Sequence, residues 1–331
     1  MPTPSPMRYA YLGPQGTFTE AAVLQASGAG DELVPMSSVD AVLGALRSGD
    51  VDRAVVPIEN SVEGGVPQTL DSLGSGTELM VVREMLVPIT FVLATRPGTQ
   101  LADVRRVSSH PHGWAQCRGW VAEHLPDATY VPALSTAAPA EGLSAQGDPA
   151  YEAALCSPLA AERFGLQVLA EGVGDNAAAV TRFVLVSRPG PVGAPSGADK
   201  TSVVVFQNDD HPGGLLELLE QFATRGINLT RIESRPTGDA LGRYCFSIDC
   251  EGHVGEARVA EALMGLHRTC SQVRFLGSYP RADEIKAAVG PTTSDAAFGQ
   301  ARSWVDAIRA GPQSGPPNPP PPSPPPPHLS H

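Results

Sequence analysis

The sequence predicts an α/β protein in two parts, a larger unit of alternating strands and helices followed by a smaller βαββαβ unit. Three observations carry this. From Tyr9 to Val186, short apolar and β-branched runs alternate with segments of helical period, the pattern of sheets covered on both faces. Between Ser187 and Asp199, Pro189, Pro191 and Pro195 stand among glycines and small residues, a linker composition. Beyond that stretch the elements follow the ferredoxin-like order and then stop.

Composition excludes several classes. A chain of 331 residues with 42% hydrophobic and 18% charged residues has enough apolar material for two cores. A formal charge of −12 leaves no basic stripe to neutralise phosphates, so nucleic acid is not the expected partner. An acidic chain still binds an anion where local donors converge. Cys117, Cys156, Cys245, Cys250 and Cys270 are odd in number and form no CxxC pair, which reads as buried thiols in a reducing compartment and gives no metal site. Met1 to Pro6 lacks a charged n-region and an apolar h-region, and no stretch is long enough to span a bilayer. The expectation is a cytoplasmic protein with no membrane contact.

Tyr9 to Leu12 reads as a strand running into Gly13-Pro14-Gln15-Gly16. Thr17 then opens a helix with Glu20 at the capping-box spacing. Such a turn aims free N–H groups above the strand end, a place for an anion, although a plain βα connection has the same sequence. Val39, Val42, Leu43 and Leu46 form the apolar face of the next helix, closed by Gly49. Arg53 to Ile58 is a strand leading into the polar loop Glu59 to Gly65, which is either a wall of a site or a solvated turn. Leu79 to Met85 and Ile89 to Ala94 are strands separated by Pro88, a crossing between lobes. The strand Arg106 to Ser109 is followed by His110-Pro111-His112-Gly113 and a helix carrying Trp114, Cys117, Val121 and Leu125, with Gln116 beside them. Two histidines flanking a proline, without a carboxylate pair, read as turn structure rather than metal ligands. Strands near 129–131, 153–156 and 168–170 alternate with helices 136–146 and 158–164 and bring the chain to Thr181.

Thr181-Arg182-Phe183 opens the buried run Val184-Leu185-Val186. A guanidinium at the mouth of a buried strand needs a carboxylate, from the protein or from a ligand, because burying it unpaired costs several kcal/mol. Both partners are open at this point. In α/β sheets ligands sit beyond the carboxyl ends of strands, and the polar clusters at Thr17, Asn60, Ser109 and Thr181 all adjoin strand ends.

In the second unit, Val203 to Phe206 is a strand, 208–214 a loop, and Leu215, Leu218, Leu219 and Phe222 line a helix that Gly226 ends. Strands Asn228 to Glu233 and Arg243 to Cys250 are joined by a turn at Gly238 and Gly242. A helix with Val259, Leu263 and Leu266 and the strand Val273 to Leu276 follow. Phe298, Ala301, Val305 and Ile308 fit one amphipathic helix, and Pro312 to Pro327 reads as a disordered polyproline tail. The expected divisions are 7–188, a linker 189–199, 200–280 and a C-terminal extension 281–331.

Taken together, Tyr11 to Phe18, Pro57-Ile58-Glu59-Asn60-Ser61, Ser109-His110-Pro111 with Gln116-Cys117, and Thr181-Arg182-Phe183 resemble the prephenate dehydratase family, in that order and over about Tyr9 to Tyr279. His112 stands where glutamine is common in that family, and Ala178-Ala179 where asparagine often precedes the Thr-Arg-Phe. The second unit resembles an ACT regulatory domain, with Gly213-Gly214-Leu215 at a usual Gly-Ala-Leu and Glu233-Ser234-Arg235-Pro236 keeping a Glu-Ser-Arg-Pro. The resemblance implies a two-lobed, periplasmic-binding-protein-like catalytic domain with its site in the cleft. It also implies a hydro-lyase that converts prephenate to phenylpyruvate, water and carbon dioxide without a metal or organic cofactor.

By the same resemblance, Thr181, Arg182 and Phe183 are the catalytic stretch. Thr17, Asn60, Ser61, Ser109 and Gln116 hold substrate. L-phenylalanine binds allosterically at Gly213, Gly214, Leu215, Asn228, Leu229, Glu233, Ser234, Arg235 and Pro236, between paired subunits of a dimer or tetramer. Departing hydroxide needs a donor, a role open to Thr181, while Arg182 either anchors a carboxylate or organises the strand end. Removing residues 200–280 is expected to abolish inhibition by phenylalanine. An arogenate dehydratase is the nearest alternative, and a non-catalytic amino-acid sensor an alternative of another class.

Overall fold

The computed structural model describes residues 6–147, 149–208, 211–237 and 243–311. The turn expected at Gly238 and Gly242, Asp209-Asp210 and the proline-rich tail lie outside the described residues. Three sheets organise the chain. In the first lobe, β1 (Arg8–Leu12), α1 (Phe18–Ala26), β2 (Glu32–Met36), α2 (Val39–Ser48), β3 (Arg53–Asn60), the short β4 (Gly64–Gly65), α3 (Pro67–Gly74) and β5 (Met80–Pro88) follow one another. The second lobe comprises β6 (Val92–Thr95), β7 (Arg106–Ser109), α4 (Pro111–His124), β8 (Thr129–Pro132), α5 (Ala138–Ser144), β9 (Ala153–Cys156), α6 (Pro158–Arg163) and β10 (Gln167–Glu171). The chain then returns to the first lobe as β11 (Val180–Ser187).

The first sheet has the order β2-β1-β3-β11-β5, with β4 paired to β3, and the second β10-β6-β9-β7-β8. Parallel pairing joins β1 to β2 and β3, whereas β11 runs antiparallel to both its neighbours. That return strand inserts Thr181 beside Asn60 and Arg182 beside Glu59. The two crossings between lobes lie side by side: the Ile89 amide donates to the Ala179 carbonyl at 2.8 Å. The crossing expected at Pro88 is thus where the chain changes sheets. Besides the two-residue β4, read as loop, sequence reading missed β2 and α3. The first is a short edge strand interrupted by Pro35, and the second an eight-residue helix whose only strong signal is Pro67 in its first turn.

The second unit is β12 (Asp199–Phe206), α7 (Gly214–Ala223), β13 (Leu229–Pro236), β14 (Tyr244–Glu251), α8 (Ala257–Thr269) and β15 (Gln272–Pro280). Its antiparallel sheet has the order β13-β14-β12-β15, the ferredoxin-like arrangement. Period-2 alternation divides this sheet's apolar residues. Val203, Val205, Phe246 and Ile248 face α7 and α8 with Leu218, Phe222, Val259 and Leu266. Val204, Cys245, Leu276 and Tyr279 join the core of the first lobe, with Val42, Leu46, Leu73 and Val186. The second unit therefore closes its open face on the first lobe. At Gly277, φ +134°, the β15 backbone passes so close to the Val81 carbonyl that a side chain there would overlap it. A last helix, α9 (Asp295–Arg309), docks on the start of α8, where the Asp295 carboxylate accepts the Ala257 amide at 2.7 Å.

Candidate active site

The end of β3 and the start of β11 place two polar side chains in contact. The Asn60 Nδ2 donates to Thr181 Oγ1 at 2.8 Å. The amide's orientation is decided by its other end, because Asn60 Oδ1 accepts the Val62 amide at 2.8 Å and the Glu63 amide at 3.3 Å, an Asx-type turn. With a donor filling one lone pair, the Thr181 proton has no acceptor among the described residues, so the hydroxyl is presented as a donor. Ser61 locks the same corner: its amide donates to the Val180 carbonyl at 2.9 Å and its Oγ accepts the Val180 amide at 3.0 Å. Its part is to fix the strand that carries Thr181.

The turn before α1 adjoins another strand end of the same sheet, that of β1. Thr17 is the N-cap, with its Oγ1 donating toward the Pro14 carbonyl at 3.0 Å and accepting the Glu20 amide at 3.4 Å. The buried Glu20 carboxylate takes the Gly16 amide on one oxygen and Arg163 of the other lobe on its second. The amides of Phe18 and Thr19 have no acceptor among the described residues and are the free donors of this helix start.

Contacts between lobes surround this region. Ser157 Oγ, after β9, donates to the Gly16 carbonyl at 2.6 Å. Arg163 Nη1 reaches Gln15 Oε1 at 3.0 Å. Phe18 meets Phe91 edge-to-face with ring centroids 5.4 Å apart. His112 pairs with Glu63 across the rim. His110 caps α4, accepting the His112 amide through Nδ1 at 3.3 Å, so the histidines are turn structure as the spacing implied. Burial and the nearby His112 push the His110 imidazole below its ordinary pKa.

Three expected site residues belong elsewhere. Arg182 does not enter the cleft. Successive strand residues point to opposite faces, and with Thr181 turned toward Asn60 the guanidinium lies on the face covered by the second unit. There Nε donates to Glu84 at 2.6 Å, Nη1 to Asp249 at 2.6 Å and Nη2 to the Tyr279 hydroxyl at 2.8 Å. Glu59 is a further carboxylate at 3.4 Å. The carboxylates that its burial demands come from the protein. Phe183 is buried in the first lobe's other core, with Tyr9, Tyr11, Val55, Met85 and Leu185. Ser109 is fully buried, its hydroxyl donating to the Leu155 carbonyl at 2.9 Å beneath Gly113, so it fixes the β7–α4 turn instead of facing a ligand. Gln116 is half-buried on α4, its carbonyl accepting the Asp175 amide of the return crossing at 2.7 Å, and its side chain has no partner among the described residues.

Asp249 is a charged residue that sequence reading missed, as are Glu84, Lys200 and Arg231 beside it. It is wholly buried in β14 and accepts Arg182 Nη1, Arg231 Nε at 2.9 Å, Arg231 Nη2 at 3.1 Å and the Ser202 hydroxyl at 2.6 Å. Burial disfavours its ionised form, but Arg182 and Arg231 outweigh that and hold the carboxyl far below its ordinary range. Asp249, with Tyr279 and Glu84, raises Arg182 against the effect of its burial. One signal was available: a lone aspartate inside the apolar strand Tyr244 to Cys250.

In the second unit, Gly213 (φ +93°) precedes α7, and Gly214 lines a cavity of about 380 Å³ with Gln207, Asn208, His211, Leu218 and Cys270. Leu215 is exposed on α7, Asn228 is exposed before β13, and Leu229 packs on the edge of the α7–α8 core. Glu233 to Pro236 are not part of that cavity. They end the edge strand β13 against the first lobe, where Arg235 forms a two-pronged ion pair with Asp71, both contacts 2.8 Å, and Glu233 lies over Gly65.

Comparison with known proteins agrees with this layout. The family model described as prephenate dehydratase matches residues 9–191, and that of the ACT domain matches 202–268. The prephenate dehydratase of Mycolicibacterium vanbaalenii is 48% identical over 316 residues, spanning 91% of this chain and 98% of the relative. A crystal structure of prephenate dehydratase from Arthrobacter aurescens in complex with L-Phe is 60% identical. It has a TM-score of 0.87 and covers 92% of this chain and all of that one. A third structure, GqqA, described as a novel type of quorum-quenching acylase, is 32% identical with a TM-score of 0.74, over 82% of this chain and 97% of its own.

Proposed function

This chain belongs to the prephenate dehydratase family, and from that premise we propose how its cleft carries out the decarboxylative dehydration of prephenate to phenylpyruvate, water and carbon dioxide. The hydrogen bond from Asn60 to Thr181 carries the reading. As the ring C–CO₂⁻ bond breaks, its electron pair moves into the ring, and the ring hydroxyl departs from the opposite carbon. Hydroxide is a poor leaving group. A hydroxyl whose own oxygen is already engaged by an amide donor stabilises the negative charge growing on it. Thr181 has that disposition, and Asn60 acts by holding it there. Decarboxylation supplies the electrons, so no base is required.

The substrate is a dianion bound by an acidic protein, so local donors must hold it. The free amides of Phe18 and Thr19 at the Thr17 helix start and the Gln116 side chain are suited to its carboxylates and hydroxyl. Neutral donors avoid over-stabilising the carboxylate that must leave, since equal binding of ground and transition states gives no acceleration. An acylase reading of the same cleft requires a base beside the nucleophile, and the described partner of Thr181 Oγ1 is a donor.

The second unit is read as the phenylalanine sensor. Gly213-Gly214-Leu215 and Glu233 to Pro236 lie at one end of the sheet, and the lining of the cavity at Gly214 includes none of Glu233 to Pro236. That supports a ligand site completed by a second copy, and the exposed edge strand β13 with its exposed Ile232 is a surface for that pairing. A dimer or tetramer in the cytoplasm goes with this reading. Sedimentation with and without L-phenylalanine tests it; a monomer that still binds phenylalanine contradicts the shared site.

A further inference from the structure

A row of charged side chains runs from the proposed ligand motif to the residue after Thr181. It begins at Glu233, whose carboxylate lies over Gly65 and 3.9 Å from Arg231 Nη1. That nitrogen is buried and has no hydrogen-bond acceptor, while the rest of the Arg231 guanidinium is bonded to Asp249 and Ser247. Asp249 in turn holds Arg182, and Arg182 also meets Tyr279 of the same domain and Glu84 of the first lobe. Lys200 completes the cluster at 2.9 Å from Glu84. Two features distinguish this row from an ordinary interface. Asp249 accepts four hydrogen bonds and is fixed in place, whereas the Arg231–Glu233 contact is left open. Moreover, Arg182 shares a peptide bond with Thr181, so the anchored guanidinium and the hydroxyl facing Asn60 hang from adjoining residues of β11.

We propose that Arg182 and Asp249 are positioning residues through which the second domain sets the place of Thr181, and that Arg231 and Glu233 connect this pair to the phenylalanine site. The inference rests on the functional reading above and deepens it. An amino-acid ligand brings an ammonium that draws Glu233, changing what the unsatisfied Arg231 nitrogen can reach. Because Glu233 also packs on Gly65, two residues of the loop that starts at Asn60 feel the same event from the other side. Coupling between sites requires an element with differential contacts in two states, and the open Arg231–Glu233 joint is such an element.

The test uses the full-length protein and the variants Asp249→Asn, Tyr279→Phe and Gly65→Ala. The last introduces a methyl where Glu233 now sits, on a backbone without positive φ. Turnover of prephenate, its KM, inhibition by L-phenylalanine and calorimetric binding of L-phenylalanine are measured, with melting curves for folding. The expected result is a kcat reduced about 3–10-fold for Tyr279→Phe at little-changed KM. Half-inhibition in all folded variants should need about 10-fold more phenylalanine, while its binding constant moves less than about 3-fold in Asp249→Asn and Tyr279→Phe, which leave Glu233 in place. Retained inhibition and kcat in folded Tyr279→Phe and Gly65→Ala overturn the proposal, and those two variants carry the test if Asp249→Asn does not fold. If the wild type turns over prephenate but neither binds nor responds to phenylalanine, the sensor reading fails and the coupling with it. Inhibition that persists equally in wild type and variants refutes the coupling alone.

Discussion

Replacing Asn60 by aspartate separates the roles of that residue. Asn60 does two things: its Oδ1 caps the Val62 and Glu63 amides, and its Nδ2 donates to Thr181. A carboxylate keeps the first and reverses the second, because it can only accept, and the Thr181 proton turns inward to meet it. The loop therefore survives while the donor aimed at the leaving hydroxyl is lost. Removing one transition-state donor of this kind costs about 10²–10³ in kcat, roughly 3–4 kcal/mol. The added negative charge also repels a dianionic substrate and raises KM, so kcat at saturating prephenate isolates the donor effect. Thr181→Ala should lose about the same factor. The double variant should be little worse than either single, since both remove one interaction. Asn60→Ala, by contrast, also loses the cap, and its melting temperature should fall with about 1 kcal/mol of stability. Phenylpyruvate formation measures the first set of effects and thermal denaturation the last. A kcat for Asn60→Asp within about threefold of wild type, or fully additive losses in the double variant, would refute the donor pair.

Three further outcomes follow from the geometry. Gly16 has φ +82°, and a side chain there would press on Ala160 of the other lobe at 3.0 Å, so Gly16→Ala should cost about 1–3 kcal/mol by denaturant titration and lower activity by holding the lobes apart. Asp249 has a native pKa depressed far below its ordinary 3.8, so its contribution is complete above about pH 4 and is lost as pH falls. Asp249→Asn should therefore take up about one proton fewer on unfolding below pH 4, read from the slope of stability against pH. The His112–Glu63 pair is exposed at both partners, so His112→Gln should change stability by less than about 1 kcal/mol and leave turnover within about threefold, measured by melting and by assay.

The order of most elements was legible because apolar spacing survives in them, as at Val39, Val42, Leu43 and Leu46, all of which are buried. The polar corner was legible too, since Asn60 and Thr181 sit at strand ends where a sheet presents ligands. What the linear pattern underdetermined was direction. Alternation alone forbids Thr181 and Arg182 from facing the same side, and only the presence of the second domain on the other face decides which one meets it. Ser109 reads as a strand-end hydroxyl but is covered by Gly113 and Leu155, a matter of packing that no local signal reveals. The domain contact was also hidden. Val204 and Cys245 alternate with Val203 and Phe246 as a sheet's second face must, and an irregularity in β15 brings Leu276 and Tyr279 to the same side, yet the proline-rich linker suggested independence. Because those residues share the first lobe's core and Asp249 pairs with Arg182, removing 200–280 would expose apolar surface and strip Arg182 of Asp249 and Tyr279, leaving it Glu84 and Glu59. Point variants are the sounder test of regulation.

The measurement that tests the account most directly is phenylpyruvate formation from prephenate by the purified full-length chain in metal-chelating buffer, with and without L-phenylalanine. Turnover in the chelator, suppressed by phenylalanine, is the expected result. Absence of turnover with prephenate, with arogenate consumed instead, would contradict the substrate assignment, and absence of turnover with both would contradict the catalytic reading of the Asn60–Thr181 corner.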